Sequence, residues 1–277
     1  MSLYELSSYL ESPITWIMFL YGLFIGSFLN VCIYRIPLKI FWKKTRSHCP
    51  ECDALIPIWL NIPVVSWLLL RGKSHCCSTK ISPIYPAVEL LTGLNFVVCY
   101  WVFPFVIQND YGISFDSAMT LRFFEALVFS CLLIVSSVID AKLQIIPDVI
   151  SIPMIVVSPL VAWLHPDLSL KSSLIGVLLG GGVFYFVAWA YFMFRGEAGL
   201  GFGDVKLLAA IGGWLGYESI LPTVFLGSIL GALTGICVII VTRSFDTKLK
   251  LPFGPFLGIG ALSYLYFGQA LMELLYS

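Results

Sequence analysis

Eight apolar stretches, most about one bilayer deep, dominate this chain. They fall at approximately 14–34, 84–107, 121–140, 148–164, 172–194, 205–218, 220–242 and 255–275. A helix needs roughly 20 mostly apolar residues to cross about 30 Å of hydrocarbon. The fourth and sixth stretches are short, and Pro153 and Pro159 interrupt the fourth, which predicts a tilted or kinked span. Lipid offers no partner to a free peptide group, so these runs read as helices rather than strands. Composition agrees: 59% of the 277 residues are hydrophobic and 12% are charged, against about 25% charged in an ordinary soluble domain. That balance excludes a soluble enzyme, a disordered tail and a fibrous protein. A formal net charge of zero implies no surface for nucleic acid. The expected fold is an all-α polytopic membrane protein with about eight transmembrane helices.

The basic residues orient that layout. With the N-terminus outside, all 16 Lys and Arg except Arg122 and Lys171 fall on the inner side, as the positive-inside rule requires. The expectation is therefore N-out and C-out. Residues 1–13 lack a basic leader region, so the first run reads as an uncleaved span. Three regions follow: a first span over 1–36, a cytoplasmic cysteine-containing loop over 37–83, and a seven-span core over 84–277.

Four of the eight cysteines sit in the loop: Cys49, Cys52, Cys76 and Cys77. The others, Cys32, Cys99, Cys131 and Cys237, lie in apolar runs, where a thiol behaves as a small hydrophobe. The reducing cytosol disfavours disulfides, and Cys49-Pro-Glu-Cys52 has the spacing that lets two thiolates share one tetrahedral Zn²⁺. Ser74-His75-Cys76-Cys77 supplies the other half in either of two ways, Cys76 with Cys77 or His75 with Cys77; His48 is a further ligand choice. A structural zinc would fold a loop too small for a core of its own. Reduced surface thiols are the bland alternative.

Ionisable groups in spans are functional by default. Glu125 and Glu273 lie near the outer ends and can reach water. Asp140 closes the third run, and Asp204 closes Gly199-Leu-Gly-Phe-Gly-Asp204 at the start of the sixth, so the layout puts both at one depth on the inner side. Two carboxyls within reach share a proton. The ionised one then takes a proton from water while the protonated one polarises a carbonyl, which is aspartyl peptide hydrolysis. Gly201 and Gly203 would let the backbone bend and an extended strand approach. Asp148 reads as a helix N-terminal acid after Pro147 or as a support for the site. Glu89, behind Pro83 and Pro86, has the same two readings.

The order and spacing of several motifs resemble the bacterial type IV prepilin peptidases, the leader peptidase and N-methyltransferase family. They are Gly26-Ser-Phe-Leu-Asn-Val-Cys-Ile-Tyr-Arg-Ile-Pro37, Asn61-Ile-Pro63 with Ser66-Trp67, Arg71-Gly-Lys73 and Tyr85-Pro-Ala-Val-Glu-Leu-Leu91. Further on come Ile139-Asp140, Ile146-Pro-Asp148, Gly201-Phe-Gly-Asp204 with Lys206, and Pro252-Phe-Gly-Pro255. The resemblance implies a multi-pass protein of the bacterial inner membrane. It implies cleavage of a short basic leader after glycine at the cytoplasmic face, with Asp140 and Asp204 as the catalytic acids. Prepilins or type II secretion pseudopilins would be the substrates. It further implies methylation of the new N-terminal residue from S-adenosyl-L-methionine, with Gly72 and Lys73 at positions associated with methyl transfer. The chain departs from the family pattern at two places: Ser74 stands where a third cysteine is expected, and Ile84 where an arginine is usual. Glu51, Asp53 and Glu197 are acids that a basic leader would meet. A peptidase without methyl transfer, a proton-coupled transporter and a non-catalytic scaffold are the other readings of the same residues.

Overall fold

The structure, a computed structural model, describes residues 12–41, 47–49, 51–109, 112–165, 167–196, 201–242 and 251–276. The chain divides into two compact units, Met1–Cys131 and Leu132–Ser277.

In the first unit, helix α1 (Pro13–Leu38) opens with Pro13, where a missing N–H costs nothing, and ends at Lys39 in the left-handed conformation (φ 57°). A short helix α2 (Val65–Leu69) lies in the loop, and α3 spans Ile84–Val102. Helices α1 and α3 pack backbone to backbone through small residues. A Cβ added at Gly22 would stand 2.7 Å from Gly93 Cα, and one at Gly26 equally close to Glu89 Cα.

The second apolar run is not helical to its end. Pro104 disfavours helical backbone at Phe103, which is extended (φ −123°, ψ 68°), so α3 stops at Val102. An antiparallel hairpin follows, β1 (Val106–Asn109) against β2 (Gly112–Phe115), with Val106 opposite Phe115. The lipid argument against strands applies only within spans, and this hairpin lies in a connection. Asp116 then caps α4 (Ser117–Leu143) by accepting from the Ala118 N–H at 2.8 Å.

The second unit holds α5 (Asp148–Leu164), α6 (Leu170–Val177), a π-helical stretch Leu178–Val183 and α7 (Phe184–Arg195). Then come α8 (Phe202–Leu215), α9 (Ile220–Thr242) and α10 (Gly254–Tyr276). Pro159 deprives the Ile155 carbonyl of its helical partner, and the Ser158 hydroxyl donates to that oxygen instead at 2.9 Å. Helix α8 is buried from Leu207 to Trp214, and its Trp214 indole N–H donates to the Met154 carbonyl at 2.8 Å. A helix apolar on every face belongs inside a bundle, and α8 packs against α5, α6 and α10.

A helix occupies every run singled out from the sequence. Among the described residues, five stretches of helix are long and apolar enough to cross a membrane: Pro13–Leu38, Ile84–Val102, Ser117–Leu143, Leu170–Phe194 and Tyr217–Val241. Helix α5 has 17 residues and α8 only 14, the latter about 21 Å at 1.5 Å per residue.

Candidate active site and thiol cluster

Two chemically distinct places emerge, one in each unit. In the second unit, Asp140 sits three residues before the end of α4 and is 5% exposed. Its Oδ2 accepts from the Gly254 N–H at 2.9 Å. Gly254 is the first residue of α10, so this N–H is one that no turn of its own helix can use. The fit leaves no spare room, because a Cβ on Gly254 would lie 2.7 Å from the same oxygen.

Asp204 is the third residue of α8, half-buried in the first turn. It lies near enough to Asp140 for the charge of one to act on the other. Gly201 faces Asp204, whereas Gly203 faces Ile146. Gly201 has φ −69° and ψ 132°, which any residue adopts. A Cβ there would crowd Asp204 Oδ2 at 3.1 Å, and one on Gly203 would meet Ile146 Cβ at 3.1 Å. The expectation of a glycine-dependent bend is corrected accordingly.

Asp148 occupies the first turn of α5 behind Pro147, as its sequence position suggested. It also pairs with Lys206 Nζ at 2.5 Å, joining the starts of α5 and α8. Sequence reasoning missed this ion pair, and it missed the Gly254 donor as well. Lys206 lies two residues past Asp204, and Gly254 follows a helix-breaking proline; both sat inside motifs already noticed.

Glu89 belongs to the first unit and is not a helix N-terminal acid. It is the sixth residue of α3, 8% exposed, and its Oε2 accepts from the Val64 N–H at 2.7 Å. Val64 is itself unusual, with φ 61° in a β-branched residue. Gly72 adopts φ 68° in the turn after α2, with its Cα face on the Trp67 ring, and Lys73 is exposed. Glu197 lies outside the described residues; Glu51 and Asp53 are exposed on the loop.

Two tight turns of that loop carry the thiols. In the first, the Cys49 N–H donates to the Ala54 carbonyl at 2.9 Å and the Asp53 N–H to the Cys49 carbonyl at 3.0 Å. In the second, the Ser74 N–H donates to the Thr79 carbonyl at 2.8 Å, and Lys73 bridges Lys80. The Sγ atoms of Cys49, Cys52, Cys76 and Cys77 all lie within 4.8 Å of one another. Cys49 and Cys77 are 3.6 Å apart, Cys52 and Cys76 3.0 Å, Cys76 and Cys77 3.9 Å. Four sulfurs at about 2.3 Å from a tetrahedral Zn²⁺ stand roughly 3.8 Å apart, so this donor set fits the ion. His75 is not part of the group, and His48 faces Asp53 at 3.7 Å. Ser74 takes the place of the missing cysteine as a hydroxyl beside the cluster, 3.1 Å from Cys76 Sγ.

The thiols differ in acidity. Backbone N–H groups of Cys52 and Glu51 draw the Cys49 thiol down to about 6. The Thr79 hydroxyl lowers Cys77, whereas the hydrogen bond with Cys76 holds Cys52 up to about 12. Without metal the cluster is thus a mixture of thiolate and thiol.

Residues 20–103 match the model of the bacterial peptidase A24 N-terminal domain, and residues 127–236 that of the type IV leader peptidase family. The chain is 33% identical to the prepilin leader peptidase/N-methyltransferase of Xanthomonas campestris, covering 91% of each protein. The chain belongs to the type IV leader peptidase family. Within that family it is also 38% identical to the type 4 prepilin-like proteins leader peptide-processing enzyme of Escherichia coli O78:H11, over 88% of this chain and 91% of the relative. It is 33% identical to the Aeromonas hydrophila prepilin leader peptidase/N-methyltransferase, over 92% and 91%. No solved structure matches the chain. Asp140 and Asp204 both fall in the leader peptidase region, and the thiol turns fall in the N-terminal domain.

Proposed function

We propose that this membrane protein cleaves the leader of type IV prepilins or type II secretion pseudopilins after glycine, with Asp140 and Asp204 as its catalytic pair. The observation that carries the reading is a buried Asp140 held by the Gly254 N–H, with Asp204 near enough for its charge to be felt. Two such carboxyls titrate as a unit and share one proton over a range of pH. The ionised member accepts a proton from the attacking water; the protonated member donates to the carbonyl oxygen of the scissile amide. Gly254 orients one acid, and the space beside Gly201 leaves room at the other. Asp148, tied to Lys206, supports the site by holding the starts of α5 and α8 together.

The layout that serves this chemistry has eight spans, with both termini outside and both aspartates at the cytoplasmic face of the bacterial inner membrane. Methyl transfer to the new N-terminal residue is assigned to the loop 37–83, with Gly72 and Lys73, and hydrolysis to the core 84–277. S-adenosyl-L-methionine supplies an electrophilic methyl group when bound. Cys49, Cys52, Cys76 and Cys77 would hold a structural Zn²⁺.

Co-expression with a prepilin tests the pair. Asp140→Asn and Asp204→Asn each abolish leader removal, seen as a mobility shift and by mass, while the protein remains inserted. Leader removal retained by either variant would refute the dyad, and would favour a scaffold or a proton carrier.

A further inference from the structure

The first unit encloses a cavity of about 390 Å³ between the C-terminal half of α1, the thiol loop and the start of α3. Small-molecule sites typically enclose roughly 300–1,000 Å³. Its polar walls come from Asn30 and Arg35 on α1, Trp67 on α2, Lys80 beside the second thiol turn, and Tyr85 and Glu89 on α3.

Both signs of charge meet in this space. Arg35 and Glu89 are each 8% exposed, and buried charges persist only where partners repay their lost hydration. A carboxylate offers roughly four acceptor positions. Glu89 therefore keeps capacity beyond the Val64 N–H and the Ser27 hydroxyl. The Trp67 indole is fixed, because its N–H donates to the Ile81 carbonyl at 3.1 Å. Gly72 lies against that ring, where a Cβ would stand 3.0 Å from Cζ2.

We propose that this cavity is the binding site for S-adenosyl-L-methionine, resting on the methyl-transfer reading above. The ligand is a zwitterion with an added sulfonium and a flat purine. Arg35 and Lys80 suit its carboxylate, Glu89 its cationic groups, and Trp67 its adenine ring. Gly72 is then a positioning residue: it touches no ligand and acts by keeping the Trp67 plane where it is. Cys49 and Ser74 line the same cavity, so the thiol cluster buttresses one of its walls.

Equilibrium dialysis of full-length protein in nanodiscs against labelled S-adenosyl-L-methionine tests the assignment. Glu89→Gln, Trp67→Ala and Lys80→Ala are each expected to weaken Kd at least tenfold. Trp59→Ala, on a loop side chain 72% exposed and outside the cavity, is expected to bind as wild type. Lys80 is exposed, so its variant keeps the test valid if a core substitution unfolds the protein; an unchanged melting temperature certifies that. Wild-type affinity in a folded Lys80→Ala and a folded Trp67→Ala would overturn the assignment and leave the cavity to another zwitterion, such as a lipid headgroup. Mass analysis of the processed substrate separates the two failures. A methylated N-terminus with unaffected cavity variants sinks the site alone; an unmethylated one with no binding by wild type sinks methyl transfer and the site together.

Discussion

At the scale of single residues, the tightest constraint is the meeting of Gly254 and Asp140. The hydrogen bond needs only a backbone N–H, which any residue but proline supplies. What singles out glycine is the missing Cβ, which would stand 2.7 Å from Asp140 Oδ2. Gly254→Ala should therefore keep the donor, displace the carboxyl and leave the helix start intact. Misplacing a reacting group by about 1 Å can cost on the order of 100-fold in rate. We expect leader cleavage to fall about 10- to 100-fold in Gly254→Ala with a melting temperature near wild type, measured by timed processing of a purified prepilin. Unchanged processing would mean that Asp140 tolerates movement and that its anchoring is not used in catalysis. The Asp148–Lys206 pair is a different case. Both side chains are substantially exposed, and such pairs contribute about 0–1 kcal/mol, so its value lies in alignment rather than stability.

At the scale of elements, the two thiol turns meet in one cluster. Each turn closes its own backbone hydrogen bonds, yet the four sulfurs come from both. Metal binding must strip a proton from Cys52, which stands at about 12 without metal, whereas Cys49 at about 6 is already thiolate at neutral pH. Binding therefore releases protons, and affinity should rise with pH and fall as the medium is acidified. We expect about one zinc per purified chain, lost in Cys52→Ser, with proteolytic cutting of the 37–83 loop following the loss. Metal content by mass spectrometry decides it, and full zinc retention in Cys52→Ser would exclude the four-thiol site. Much of this was legible in advance: the Cys49–Cys52 spacing named the first pair. The second pair was legible as one of two choices, Cys76 with Cys77 or His75 with Cys77, and the turn closed by Ser74 and Thr79 brings both thiols round. The hairpin was not legible. Val106 and Ile107 continue an apolar run, and the break at Phe103 comes from the steric effect of Pro104 rather than from any change in hydropathy.

At the scale of the whole molecule, the Asp140 and Asp204 pairing could be proposed from sequence, but the other partners of the two regions could not. Asp140 and Asp204 could be matched because one closes the third apolar run and the other opens the sixth, on the same side of the expected layout. The Gly254 and Lys206 contacts link residues 114 and 58 positions apart, a separation that hydropathy cannot encode. The same reasoning makes orientation the most consequential expectation. If both termini lie outside, the end of α4 and the start of α8 face the cytoplasm, where a basic leader stays. Fusing alkaline phosphatase or a fluorescent protein to the C-terminus, and inserting either reporter into the 37–83 loop, reads this directly. We expect phosphatase activity at the C-terminus and fluorescence in the loop. The short α8 gives the experiment its force. At about 21 Å it spans only with help from neighbouring helices, and if it failed to cross, every later segment would invert. The C-terminal reporter would then fluoresce, Arg243, Lys248 and Lys250 would move outside, and the basic asymmetry that fixes the layout would be halved at its C-terminal end.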